Sequence, residues 1–351
     1  MVNKEMRIWG EDGRSSARGK HRPHKFQLVG LVVGIVLLIG CFIASITWGA
    51  ADVNPSTVWQ ALTAFDGSTN HLIITNVRLP RALVALLVGA ALAVAGALMQ
   101  GLTRNPLADP GILGISAGAA LAVVLSTFFL GTVSVQVQAW VAFAGGAIAA
   151  ISVYLLGSVG RSGSTPLKLI LAGSVLSYLL FSLTTGTLIL SQRTLDEVRF
   201  WLAGSVAGRD LNVLLQILPY LLVGFILAFG MGKQITALTL GEDVAKGLGL
   251  QTGWIKAIAA MVVVLLAGSA VALAGPIGFI GLVVPHMVRF WVGVDYRWLL
   301  PHAAVWGAIL LSLADLAARL VIKPQELPVG IMTALVGAPF FIYLARSQVK
   351  R

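Results

Sequence analysis

The 351-residue sequence predicts an all-α polytopic membrane protein of about ten transmembrane helices, with an internal inverted repeat and both termini in the cytoplasm. Three observations carry this. Hydrophobic residues make up 57% of the chain and charged residues 11%, with a mean hydropathy of +0.89, whereas a soluble domain carries roughly 25% charged residues. Apolar runs fall near residues 26–48, 82–103, 112–130, 137–158, 167–190, 211–231, 255–274, 279–292, 299–322 and 328–345, and about 20 apolar residues cross a bilayer as a helix. With a cytoplasmic amino terminus, 18 of the 25 Lys and Arg residues fall inside and seven outside, in keeping with the positive-inside rule. The net charge of +11 follows from that topology and gives no reason to expect nucleic acid as a partner.

Residues 1–25 are basic, polar and rich in Gly and Ser, and read as a disordered cytoplasmic anchor. The first run, Phe26 to Trp48, is too long for the apolar core of a secretory signal and has no convincing small-residue cleavage site. Cys41, the single cysteine, lies inside it as a small lipid-facing or packing residue, so no disulfide framework exists. Cys and His are too few for a metal or haem site, and no metal or cofactor is expected in this chain. Residues 26–346 form the ten-helix domain and 347–351 a short cytoplasmic tail.

The second run is bracketed by Arg78 and Arg81 before it and Arg104 after it. Gly89, Ala93, Ala97 and Gly101 repeat at four-residue spacing, and Gly114 and Gly118 continue the pattern in the third run. Small residues so placed let helices approach closely in lipid, and these are packing residues, not ligands. Between the two runs lies Asn105-Pro106-Leu107-Ala108-Asp109-Pro110. Proline lacks an amide donor and biases the preceding residue away from helix, so Pro106 and Pro110 fix a reversal and Asn105 caps an exposed backbone end. Irregular backbone survives at membrane depth only against protein or a water-filled cavity. The eighth run is short for a bilayer of ~30 Å and is expected to cross only part of it.

Gly89, Ala91, Ala93, Ala95 and Gly96 recur 179 residues later as Gly268, Ala270, Ala272, Ala274 and Gly275, and Pro106 recurs as Pro285. The second run descends from outside to inside and the seventh ascends. That is the pattern of an inverted repeat, with substrate handled at the repeat interface.

Intramembrane charge is nearly absent. Asp315 is the clearest acid within a run, and Arg319 follows at a spacing that permits an i,i+4 pair. Ion-driven carriers keep ionisable groups at midplane, so this scarcity argues against ion coupling. Between runs six and seven, the segment 239–250 places Glu242 and Asp243 after Gly241, in the first turn of a short helix where acids suit the helix dipole. Gly247 or Gly249 ends it, and Val244 and Leu248 share one face. It reads either as a capped loop helix or as a knob inserted into a soluble partner. Arg78, Arg81, Arg319 and Lys323 fall on the outer side, where they either snorkel to headgroups or meet a partner.

Five motifs in order resemble the membrane permease of the iron-siderophore and vitamin B12 ABC importers, the type II importers. They are Arg78-Leu-Pro-Arg81 with its Gly/Ala helix and Gln100; Asn105–Pro110 with Leu113–Gly118; Leu240–Gly249; Gly275-Pro-Ile-Gly-Phe-Ile-Gly-Leu-Val-Val-Pro-His286 with Arg289; and Ala314–Arg319 followed by Glu326–Gly330 and Gly337–Phe340. The match runs from about residue 26 to 346, and only the basic tail is longer than the family needs. The resemblance implies a dimer of identical or paralogous permeases in the cytoplasmic membrane of a prokaryote. Two cytoplasmic ATPase subunits, which bind the ATP and Mg, and an extracytoplasmic substrate-binding protein dock on it. No G-x-x-x-x-G-K-[ST] phosphate loop occurs in this chain, which is read as a transport subunit and not an enzyme.

By the same resemblance, Leu240, Gly241, Glu242, Asp243, Val244, Ala245, Leu248 and Gly249 form the coupling segment to the ATPase. Ser164 and Thr165 fall at an inner gate, and Ser174, Ser177 and Thr184 line the path. Arg78, Arg81, Arg319 and Lys323 form pockets for acids of the binding protein. The implied substrate is a ferric siderophore. Cobalamin or haem import by the same architecture is the alternative; an ion-coupled secondary carrier and an orphan scaffold or receptor are readings of other classes.

Overall fold

The structure, a computed structural model, describes residues 24–49, 53–159, 166–322 and 325–349. The helices in chain order begin with α1 (His24–Thr47), α2 (Pro55–Thr63), α3 (Thr69–Ile73), α4 (Leu79–Thr103), α5 (Ile115–Leu130), α6 (Val135–Ser158), α7 (Pro166–Leu190) and α8 (Gln192–Leu202). They continue with α9 (Leu211–Gly230), α10 (Gly232–Thr239), α11 (Glu242–Gly247), α12 (Thr252–Ala274), α13 (Ile280–Val292), α14 (Tyr296–Leu320) and α15 (Val329–Val349). Among the described residues no strand is formed. Seven helices are long and apolar enough to cross a membrane, and three shorter apolar helices, α5, α13 and the first part of α15, bring the number to the ten expected.

Local chemistry explains where these helices start and stop. Ser134, Ser191, Asp210 and Asp295 each accept from a backbone N–H of the following first turn, capping α6, α8, α9 and α14. The predicted start of the second span at residue 82 is corrected. The apolar helix there runs unbroken from Thr69 to Thr103, because α3 passes through a π turn (Ile74–Arg78) into α4. Pro80 cannot donate to the carbonyl four residues back, and the ladder slips by one residue, with Leu79 N bonding Ile74 O. At the carboxyl end, α15 continues to Val349, three residues into the predicted tail. Residues 1–23 of the basic amino-terminal segment lie outside the described residues.

Burial ranks the helices. In its most apolar stretch α4 is 83% buried, against 17% for α1 and 11% for α7. So α4 is the central post, while α1 and α7 turn apolar faces outward to lipid or to partners. The packing carries the inverted repeat: α4 lies against α14 and α13 as α12 lies against α6 and α5. In each half an irregular turn enters a short helix, and a glycine of the last helix closes on that turn, Gly173 on Ile112 and Gly337 on Phe279. The pairing of Pro106 with Pro285 is not kept. Pro106 lies in the turn after α4, whereas Pro285 lies inside α13. The 104–114 connection is longer than its 275–279 counterpart, so one offset cannot hold across both.

The eighth span is short for a visible reason. The 275–279 segment, with Gly275 at φ +72° and Phe279 at +69°, leaves the end of α12 extended, and α13 starts only where Gly281 meets Gly96, well down α4. The contact is backbone on backbone: a Cβ at Gly96 would overlap the Gly281 carbonyl, and one at Gly89 would overlap that of Gly307. Gly96→Leu is therefore expected to cost more than the ~1–3 kcal/mol typical of overpacking, because backbone cannot step aside. Gly40→Leu, on a face of α1 with nothing within 4 Å, is the matched control. Thermal melting of both purified variants in detergent checks this; equal melting temperatures would show that α4 and α13 do not depend on that contact.

Candidate functional site

Inner and outer faces follow the Lys/Arg assignment, and polar chemistry gathers at both ends of α4. At the inner end, α11 stands out from the bundle as a knob. Gly241 (φ +123°) and Gly249 (φ +79°) bracket it, both in backbone regions that L side chains rarely adopt. Ala245 is fully buried beneath it, while Leu240, Val244 and Leu248 are 63%, 49% and 64% exposed. Glu242 anchors the knob: its carboxylate takes Lys256 Nζ at 2.6 Å, Lys246 Nζ at 3.4 Å and Thr252 Oγ1 at 3.2 Å. The bond from Lys256, foremost among these contacts, holds the Glu242 carboxyl down to about 2. A depressed acid contributes stability above its unfolded value, near 4.3, and loses it only as pH falls toward the folded value. The clamp thus stays intact at any physiological pH, and Glu242→Gln is the change that weakens it at neutrality.

The base of the knob is tied to the central post. Thr236 on α10 accepts from Tyr296 N at 2.9 Å, and the Tyr296 hydroxyl accepts from Arg289 Nη2 at 3.0 Å. Arg289 Nη1 donates to Gln100 Oε1, and Gln100 Nε2 donates to the carbonyls of Gly281 (3.3 Å) and Leu282 (3.4 Å). The Gly281 carbonyl is the one that Pro285 leaves without its helical donor. Gln100 and Arg289 stand in the sequence motifs without an assigned role, and Tyr296 and Thr236 go unread there. A lone glutamine inside an apolar span was the available signal.

The turn after α4 uses its polar residues locally. Arg104 takes φ +51°, Asn105 Oδ1 accepts from Leu107 N at 2.9 Å, and Asp109 Oδ1 accepts from Gly111 N at 2.8 Å. Asp109 and Pro110 together start a 3₁₀ turn (Pro110–Leu113) that enters α5.

At the outer end, Arg78, Arg81 and Arg319 are buried, and the expectation that they present charge outward is corrected. Arg81 grips Asp315 Oδ1 with Nη2 at 2.8 Å and Nε at 3.0 Å, and Glu326 Oε2 with Nη1 at 2.6 Å. Arg319 pairs with Asp315 Oδ2 at 3.1 Å, the i,i+4 pair expected, and donates to Ser45 O and Oγ and to Trp48 O. Arg78 donates to the carbonyls of Ile46 and Thr47 at 2.7 and 2.8 Å. Two arginines thus satisfy the orphan carbonyls that end α1, where cations also suit the helix dipole. Because Asp315 is wholly buried between two cations, Asp315→Ala should destabilise the protein by ~3–5 kcal/mol, the usual cost of orphaning a buried charge. Removing charge from both partners, as Asp315→Leu with Arg81→Met, should recover part of that loss. Chemical-denaturant or thermal melts measure both, and a harmless single change would show that the cluster is solvated.

Among the path residues, Ser174 is exposed, Ser177 is half-buried near Gly114, and Thr184 is buried in contact with its own helix, donating to Leu180 O at 2.8 Å. All three lie on one side of α7, with exposure falling from Ser174 to Thr184. Ser164, Thr165 and Lys323 lie outside the described residues. No group of three or more His, Cys, Asp or Glu residues that could hold a metal occurs among the described residues.

The fold and these sites define a multi-pass membrane permease. The chain belongs to the FecCD transport family, which matches residues 35–347. It is 52% identical over 320 residues to the probable siderophore transport system permease protein YfiZ of Bacillus subtilis (strain 168), covering 91% of this chain and 96% of that one. It is 47% identical over 324 residues to the iron(3+)-hydroxamate import system permease protein FhuB of the same organism, covering 92% and 84%. A solved chain assigned to a metal-chelate type ABC transporter in an inward-facing conformation superposes with a TM-score of 0.79 at 31% identity, covering 90% of this chain and 98% of that chain.

Proposed function

We propose that this chain is the permease subunit of an ATP-binding-cassette importer that carries a ferric siderophore across the cytoplasmic membrane of a prokaryote. Membership of the FecCD family supports the class, and the transport of siderophores and iron(3+)-hydroxamate for which its relatives are named supports the substrate. One structural observation carries the mechanism: the apolar knob of α11 stands exposed on the inner face yet is braced from below. Exposed Leu240, Val244 and Leu248 offer a small apolar surface for an ATPase cleft, and the Glu242–Lys256 pair transmits its movement to α12. Through Thr236, Tyr296, Arg289 and Gln100 the same movement reaches α4 and α13, where the irregular 275–279 segment can yield. A second permease, identical or paralogous, covers the exposed face of α7, and a path runs between the two subunits past Ser174. Two ATPase subunits hold ATP and Mg, and a binding protein delivers substrate from outside.

The arginine cluster bears on docking indirectly. Arg81 and Arg319 are already matched to acids, so in this reading they shape the outer surface rather than contribute bare charge to it. Reconstitution of the intact transporter in proteoliposomes tests the proposal: uptake of a ferric siderophore should require internal ATP and the ATPase subunits. Uptake that persists without them and collapses with an ionophore would establish a secondary carrier instead. Leu248→Asp places a charge in the ATPase contact, and truncating or spoiling a desolvated contact of this kind costs ~2 kcal/mol or more. Uptake is expected to fall at least tenfold with the permease still folded, and normal uptake with normal ATPase association would remove α11 from the coupling role.

A further inference from the structure

Among the described residues, the outer face holds one arginine whose side chain meets no partner. Arg209 lies in the loop between α8 and α9 and is only 9% exposed. Its Nε is sealed from solvent and has no hydrogen-bond partner. Among the described residues the fork beyond Nε has no hydrogen bond or ion pair either, and unlike Nε it is not sealed from solvent. The other described arginines of that face are all engaged. Arg78 holds carbonyls, Arg81 and Arg319 share Asp315, Arg193 meets Glu197 at 3.1 Å and Arg199 meets Asp196 at 3.5 Å. Burial pushes the Arg209 pKa down to about 10, and the acid beside it in the chain, Asp210, is turned to the Asn212 amide instead. It remains charged at neutral pH, and a buried charge without a partner is a standing cost to the fold.

The loop that carries it is firmly placed. Ser205 N donates to Ala274 O at 2.8 Å, and Gly330 N donates to Gly204 O at 3.0 Å. Gly204 (φ +76°) has no room for a side chain against the Pro276 carbonyl. The segment is thus pinned between the outer end of α12 and the start of α15, beside the 275–279 turn, and it follows α7–α8 directly. A loop pinned by backbone hydrogen bonds that holds an unmatched cation at its edge presents half of an ion pair.

We propose that Arg209 is a binding point for an anionic oxygen of the iron chelate as it enters the outer mouth of the path. The inference rests on the iron-chelate reading given above. Oxygen-donor chelates of Fe(3+) present carboxylate, hydroxamate or catecholate oxygens, and the guanidinium fork is matched to paired oxygens of that kind. A single recessed arginine suits a passing ligand better than a docked protein. It attracts an anion strongly enough to admit it, and with no second cation it does not trap it.

The test uses the complete transporter, reconstituted with its ATPase subunits and binding protein, and carrying Arg209→Met or Arg209→Lys. The probes are an anionic ferric tricarboxylate chelate and a ferric siderophore. With Arg209→Met, uptake should fall about tenfold, the worth of one charge-assisted hydrogen bond. Arg209→Lys, which keeps the charge but loses the fork, should recover only part of it. The affinity of the chelate-free binding protein for the transporter should not change. The melting temperature of Arg209→Met should match or exceed that of the parent, since an unmatched buried charge has been removed. A clear drop in melting temperature would make Arg209 a structural residue and overturn the proposal. So would unchanged uptake, or a loss of uptake that follows a loss of binding-protein affinity, which would assign the arginine to protein docking. A parent complex that takes up neither probe would defeat the iron-chelate reading itself, and this inference with it.

Discussion

In hydrocarbon every backbone N–H and C=O must find a partner within the protein, and a chain that breaks its helices at membrane depth must seal the breaks with other backbone. Here the seal is glycine. Gly96 lets α4 lie directly on the Gly281 carbonyl, and Gly89 does the same with Gly307 of α14. The first contact fixes where α13 begins, and so how far the extended 275–279 segment reaches into the bundle; the second seats α14 on α4. Gln100 completes the seal by donating to the carbonyl that Pro285 orphans. Without these approaches the irregular turns would lie open to lipid, and the short helices would have no depth at which to sit.

The same constraint explains where charge is tolerated. At the outer end, three arginines cluster around one buried and one half-exposed acid, and two of them also satisfy the carbonyls that end α1. That arrangement joins α1, α4 and α14 where each helix terminates. At the inner end, Arg289 is held by neutral groups, Gln100 and Tyr296, in a chain that begins at α10 and ends on α13. One end of α4 is locked by ion pairs and the other by lighter hydrogen bonds. The proposed coupling at the inner face would use that asymmetry, because the inner end has fewer strong contacts to break.

The features attached to the proposed function are those that the fold leaves incomplete. Leu240, Val244 and Leu248 expose apolar surface on and beside a helix too short to span the membrane, and α7 exposes most of its length. Each leaves apolar surface to be covered from outside this chain, by lipid or by protein. The core, by contrast, is closed and made largely of Ala, Val and Leu from α4, α12 and α14.

Much was legible in the sequence because the bilayer imposes so few solutions. Composition and run length gave ten apolar helices, the Lys/Arg balance oriented them, and Gly241, Glu242 and Gly249 announced α11 through helix chemistry alone. Less legible were α8 and the π turn before α4. The first is a short amphipathic helix whose pattern of Thr194, Val198 and Trp201 is brief, and the second arises from one missing proline amide within a continuous apolar run. The partners of the polar residues were not legible at all. Arg78, Arg81 and Arg319 look like outer-surface charges in a linear reading, because their acids and carbonyls lie up to 274 residues away. The sequence determined which groups must be satisfied and on which side of the membrane they stand. Only the tertiary packing decided which of them are satisfied internally, as Arg81 is by Asp315, and which, like Arg209, are left for something else to meet, because pairing at a distance is set by how helices cross and not by local order along the chain.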